Sequence, residues 1–384
     1  MKFDFDRVLD RRNTGCLKWD KYKGRDVLPL WVADMDFQAP PAVLDALHKR
    51  VDHGVFGYAV PGDELVAVIV ARLWEKYRWK IQPSWIIWLP GLVPALNAAC
   101  RAVGDDADEV LTFTPVYPPF LTAPELSRRK LKTIPLRREN DLYTFDVERF
   151  ETEISPRSRL LLLCSPHNPV GRRYGRRELA SIADICIRRN IVICSDEVHC
   201  DLILDSGEHV PTATLGEEMA ANTVTLMSAS KTFNLPGLNC AFAVIADDRL
   251  RKTFIDNRLE IIPNTNALGY AACLAAYRDC EDWRIELIDY LRGNRDITHK
   301  FINEEIPLLS MDNVEATYLA WIDARMLGVP APVRFFEKAG VGLSDGRDFH
   351  AESYVRLNFG CPRETLLEAL DRMKRAVSEL PGHA

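Results

Sequence analysis

No uninterrupted apolar stretch in this chain is long enough to span a bilayer. Residues 1–10 alternate charged with apolar side chains and lack the apolar centre of a signal peptide. Positive charge is not in excess either, since 49 Lys and Arg stand against 55 Asp and Glu, a formal net charge of -6. Nucleic-acid and anionic-membrane partners need a basic face. Pairs such as Arg128-Arg129 and Arg172-Arg173 are too short, and too interleaved with acids, to make one. No Cys-x-x-Cys pair occurs. The 10 cysteines are dispersed, and Cys164, Cys186, Cys194 and Cys273 sit inside apolar runs, as buried reduced thiols do. There is no internal repeat and no low-complexity tract, and no Gly-x-Gly-x-x-Gly, which disfavours a dinucleotide enzyme. These absences predict a cytoplasmic protein with no membrane, nucleic-acid or metal partner.

What is present is an ordinary globular composition, 47% hydrophobic and 27% charged over 384 residues, enough for a large domain and a smaller one. The first forty residues, with Trp19, Trp31, Asp34, Asp36, Pro40 and Pro41, read as an extended arm. Helical patterns follow over 42–52 and 63–77. Short apolar runs at 109–113, 160–164, 191–194, 223–227 and 241–245 then alternate with helices such as 177–189. Runs of four or five apolar residues between helices predict buried strands of a mainly parallel sheet. Beyond Asn266 a long helical stretch from Ala267 through Ile302 leads to strands at 317–322 and 354–359. The fold class expected is α/β, a large domain over 50–275 and a smaller α+β domain over 276–384, with an arm, 1–49, joining the small domain.

In an open α/β sheet, ligands bind at the carboxyl ends of the strands. Tyr117 follows the 109–113 run, between Pro115 and Pro118. Asn168 follows 160–164 in Pro-His-Asn-Pro-Val-Gly. Asp196 ends the 191–194 run, with His199 three residues on, and Ser228 and Lys231 follow 223–227. Singly, each has an ordinary structural role: a lysine after a strand is surface charge, and a strand-end aspartate caps a helix or forms a turn. Jointly they place an aromatic, an amide, a carboxylate and an amine on one sheet edge, the set that pyridoxal 5′-phosphate (PLP) needs. Gly91, Leu92 and Val93 precede a helix expected to start near Pro94, whose free amides would take the phosphate, with the Ser228 hydroxyl as a further donor.

The chain resembles fold-type-I PLP enzymes of the aminotransferase class I/II superfamily. It is most similar to their cystathionine β-lyase and C–S lyase branch, which includes a bifunctional lyase and maltose-regulon repressor. The strings carrying this are Trp-Val-Ala-Asp-Met-Asp-Phe (31–37), Ser-Asp-Glu-Val-His (195–199) and Ser-Ala-Ser-Lys-Thr-Phe-Asn (228–234). The resemblance implies the family's fold, with a seven-stranded type of sheet in the large domain. It also implies that Lys231 carries PLP as a Schiff base, Asp196 pairs with the pyridine nitrogen, Asn168 binds the ring oxygen and Tyr117 stacks on the ring. His199 stands where many relatives have tyrosine. Asn239 stands where many aminotransferases have a phosphate-binding arginine. Arg356 would grip the substrate α-carboxylate, with Ala33 and Asp34 at the substrate. Tyr58 would reach the phosphate of a neighbouring subunit's cofactor, which implies a homodimer with shared sites.

The expected reaction is α,β-elimination from an S-substituted L-cysteine, giving a thiol, pyruvate and ammonia. An aminotransferase would use the same Lys231 and Asp196, and a transcription-regulating interaction role belongs to another class. Ser228-Ala229-Ser230-Lys231 also fits the Ser-x-x-Lys pattern of penicillin-recognising enzymes. The Ser-Asp-Asn and Lys-Thr-Gly strings those enzymes need are missing.

Overall fold

The computed structural model describes residues 2–258 and 261–380. Its centre is a seven-stranded sheet made of β1 (Ile86–Leu89), β2 (Glu109–Thr114), β3 (Lys130–Pro135), β4 (Ser158–Cys164), β5 (Val192–Asp196), β6 (Thr223–Met227) and β7 (Ala241–Val244). The spatial order is β1-β7-β6-β5-β4-β2-β3. Strand β7 runs antiparallel to both neighbours, and the other pairs are parallel.

The inner strands are mostly apolar and buried along nearly their whole length because both of their faces are covered. Leu160 and Leu162 of β4 enter one apolar layer with Leu96 and Ala99, while Leu161 and Leu163 enter the opposite layer with Leu179 and Ile182. Two strands carry no such signal. Lys130–Pro135 is an edge strand of mixed polarity, partly exposed along its length. Ile86–Leu89 is apolar, but only every second residue of it is buried, and it lies ahead of the alternation of runs and helices over 109–245.

The longer helices include α1 (Pro41–Asp52), α2 (Asp63–Tyr77), α3 (Leu92–Ala102), α4 (Arg176–Arg188), α5 (Ala267–Asp279), α6 (Glu281–Glu305) and α7 (Arg363–Ser378). The helix expected near Pro94 begins at Leu92. The stretch expected as one helix from Ala267 onward is two, because Cys280 leaves helical geometry (φ -116, ψ 22) and its thiol bonds back to Ala275 O.

A second sheet, wholly antiparallel, contains β8 (Ser310–Met311), β9 (Leu319–Asp323), β10 (Ser344–Asp345) and β11 (Tyr354–Asn358) in the order β8-β9-β11-β10. Up to Pro40 the arm is irregular apart from a helical turn at Leu17–Asp20 and a short strand at Leu28–Pro29. Its Leu28–Pro29 pairs in parallel with Val341–Gly342. Among the described residues, no helix is long and apolar enough to cross a membrane.

Candidate active site

Because β2, β4, β5 and β6 run parallel, their carboxyl ends open on one edge, where a cavity of about 450 Å³ lies. Its wall includes Ala33, Gly91, Leu92, Val93, Tyr117, Asn168, Asp196, His199, Ser228 and Lys231. Three of the residues singled out from sequence are not on that wall. Arg356 lies behind Asn168, donating from Nη1 to Asn168 Oδ1 at 2.9 Å. The Asp34 carboxylate is engaged by Arg11, Nη2 to Oδ2 at 2.6 Å. Tyr58 is fully exposed and lines a separate hollow with Phe56 and 263–268; Pro263 belongs to both hollow and cavity.

Lys231 enters from the turn after β6, and its Nζ donates to Ala33 O at 2.8 Å. Burial depresses its amine to about 8, with Arg356 acting the same way and Asp34 and Asp196 opposing. Asp196 ends β5, and among the described residues its carboxylate accepts one hydrogen bond, from the Val198 amide at 3.1 Å. Burial pushes its carboxyl up to about 7, against the Val198 amide and Lys231, which pull it down. A buried carboxylate so sparsely partnered is a place for a cation, which would restore its charge.

Tyr117 and Asn168 are tied together through the main chain, Tyr117 N to Asn168 O at 3.0 Å. The Asn168 side-chain oxygen belongs to Arg356, so the amide presents its NH₂ for a ligand oxygen. Burial holds His199 down at about 3, reinforced by Lys231 and Arg356. It is therefore a neutral imidazole in the working pH range, and its Nδ1 has no hydrogen-bond partner among the described residues.

The amino end of α3 faces the same cavity. Gly91, its N-cap, has extended backbone (φ 173, ψ 171), and an added Cβ would meet only Pro94 Cδ at 3.8 Å. What the glycine supplies is room beside free amides, an anion site. The Ser228 hydroxyl already donates to Cys240 O at 2.7 Å, so an anion there would compete with that carbonyl.

Arg356, on β11, pairs across to Trp321 and Ser344. Val355, Leu357 and Phe359 are buried as expected for one face, and Arg356 is buried too, on the other. Besides Asn168 it donates to Trp31 O at 2.8 Å and Ser344 Oγ at 3.1 Å, while its Nε has no partner among the described residues. Among the described residues no carboxylate pairs with it, and burial alone draws it down to about 10. A buried guanidinium with an unused donor and no counter-ion is built for a ligand carboxylate.

Together the open amides, the under-partnered carboxylate, the presented NH₂ and the buried amine fit PLP. Sequence reading missed Tyr318, whose hydroxyl donates to Ala33 O at 2.9 Å, and the backbone of Trp31. Neither follows a strand of the large sheet, and Trp31 acts through its carbonyl, which no side-chain pattern reveals.

Residues 25–373 match the family described as aminotransferase class I and II. The chain is 36% identical to the cystathionine beta-lyase PatB of Bacillus subtilis, over 98% of this chain and 100% of the relative. Among solved structures, that of OvoB superposes with a TM-score of 0.96 at 45% identity, covering 98% of this chain and 100% of that one. PLP-containing cystalysin from Treponema denticola superposes at 0.94 with 33% identity, covering 99% of this chain and 100% of that one.

Proposed function

This chain belongs to the aminotransferase class I and II family, and on that footing we propose that it is a PLP-dependent carbon–sulfur lyase. It eliminates the thiol from an S-substituted L-cysteine and leaves pyruvate and ammonia. Full-length likeness to cystathionine β-lyase carries the choice of lyase over aminotransferase. The arrangement of Lys231, Asp196, Asn168 and Arg356 around one cavity supports the chemistry.

When bound, PLP supplies an electrophilic carbon for the substrate amine and a sink for the electrons left when Cα loses its proton. Lys231 would hold the cofactor through Nζ and, once displaced by substrate, take the Cα proton at that same atom. Burial serves this role, because an amine near 8 is substantially neutral close to physiological pH. Asp196 would keep its charge against the pyridine nitrogen. Asn168 would donate to the ring oxygen, Tyr117 would cover the ring, and the Gly91–Val93 amides with Ser228 would receive the phosphate. His199, neutral, would line the ring's other edge.

Arg356 would grip the α-carboxylate with the guanidinium edge its present partners leave free, fixing Cα beside Nζ. Its bond to Asn168 couples substrate grip to cofactor grip. Ala33 and Asp34, on the arm segment closing over Lys231, would border the substrate. Tyr58, exposed beside Val55, Phe56 and Val60, would complete the phosphate site of a second copy, making the working unit a homodimer.

A panel of S-substituted L-cysteines (cystathionine, cystine, alkyl and sulfoxide conjugates) assayed for pyruvate and free thiol tests the reading. Release from one or more members supports it, and release from none contradicts it.

A further inference from the structure

Ala33 has no side-chain chemistry, yet its carbonyl oxygen is where three parts of the chain converge. It accepts Lys231 Nζ at 2.8 Å and Tyr318 Oη at 2.9 Å. Tyr318 is fully buried just before β9, and its ring stands edge-on to His199 with centroids 5.9 Å apart. It stands behind the wall that Ala33, Lys231 and His199 help to form, and its hydroxyl meets that wall at the Ala33 carbonyl.

The carbonyl does not depend on Tyr318 for its position. On one side, Asn358 Nδ2 donates to Val32 O at 2.7 Å and Asp34 O at 2.8 Å. On the other, Asn234 accepts from the Met35 amide at 2.9 Å and donates to Met35 O and Phe37 O at 2.9 and 2.8 Å. The arm is clamped on both sides of residue 33. The tyrosine hydroxyl therefore acts on the carbonyl's acceptor strength and not on its place.

Two donors on one carbonyl oxygen weaken each other, since each draws on the same lone-pair density. A charged ammonium gains more from that oxygen than a neutral amine does. A competing donor thus costs the charged lysine more than the neutral one. We propose that Tyr318 is a positioning residue for Lys231, loosening the Ala33 carbonyl's hold on the ammonium so that Nζ is available as a neutral base. The proposal rests on Lys231 being the cofactor-bearing base of the lyase. Burial, Arg356 and Tyr318 then act in one direction, against the pull of Asp34 and Asp196.

The test needs neither substrate nor bound cofactor. Competitive acetylation of the full-length chain freed of PLP, with mass-spectrometric mapping of the peptide holding residue 231, gives the pH at which that amine becomes reactive. In Tyr318→Phe the midpoint should rise, so that labelling below it falls roughly fivefold, equivalent to about 1 kcal/mol. Replacing Tyr318 by 3-fluorotyrosine, a stronger donor that keeps the packing, should lower the midpoint. In the holoenzyme the acid limb of the kcat profile should move with each variant while KM stays close to wild type. Coincident midpoints in all three proteins, or a downward shift in Tyr318→Phe, overturn the proposal. If Tyr318→Phe does not fold, the fluorotyrosine protein decides alone. Midpoints that shift as expected in a chain whose borohydride-treated holoprotein shows no PLP on Lys231 support the tuning and contradict the cofactor reading instead.

Discussion

Lys231, Asp196 and Arg356 are three ionisable groups, the last two buried and the lysine half-buried, and among the described residues none has the ion pair its charge calls for. A folded protein tolerates that cost where a ligand supplies the missing partners. Asp196→Ala removes the group proposed to keep the pyridine nitrogen protonated. Its kcat should fall by about 10² or more, a loss of roughly 2.7 kcal/mol in transition-state stabilisation. Steady-state rates within a few-fold of wild type would assign the pyridine contact elsewhere. Lys231, Asp196, Asn168 and Tyr117 were legible in the sequence because each stands at or just after the carboxyl end of a parallel strand in one sheet, and that topology turns chain order into proximity. Tyr318 and the carbonyls of Ala33 and Trp31 were not. They come from the second sheet and the arm, and their approach depends on packing between distant segments.

Elements buried on both faces were the ones sequence could read. Thr223–Met227 and Ala241–Val244 are buried throughout and mostly apolar, whereas the edge strand Lys130–Pro135 must tolerate solvent and so lost its signature. The division of the long helical stretch at Cys280 had no glycine or proline to mark it. Close packing around α5 gives a prediction at this scale. A Cβ at Gly269 would lie 2.5 Å from Leu238 O and 3.2 Å from Cys240 Cβ, in the segment that bounds the cavity. Gly269→Ala must displace the Pro236–Leu238 turn or the helix, and should cost about 1–3 kcal/mol in thermal or denaturant unfolding. An unchanged midpoint would show that this contact yields freely.

Across the whole molecule, stability should depend on pH through two histidines buried neutral beside the site. Burial holds His167 at about 4 and His199 at about 3, from an ordinary value of 6.5. Their folded values are depressed, so the unfolded chain binds protons first as pH falls. The stability present above about 6.5 should decline as pH drops from there toward 4 and then 3. His199→Asn should flatten part of that decline in a series of melts, and an unaltered slope would remove His199 from the account.

The proposed sharing of sites between two copies also belongs to this scale. Inactive Lys231→Ala subunits mixed with inactive Tyr58→Ala subunits should recover activity, because one of the two hybrid sites carries both native residues. Verified heterodimers without recovery would place Tyr58 outside the partner's site.

The central claim is elimination, and it differs from transamination in what it needs to continue. Expelling a group from Cβ leaves the cofactor ready for the next substrate, whereas transamination stops after one half-reaction until a keto acid restores it. The direct measurement is pyruvate released by purified enzyme given one S-substituted L-cysteine and no keto acid. The account predicts many equivalents of pyruvate per active site, with matching thiol and ammonia. Failure of every cysteine conjugate to exceed one equivalent, with turnover on a sulfur-free amino acid once a keto acid is added, would contradict it and make the protein an aminotransferase.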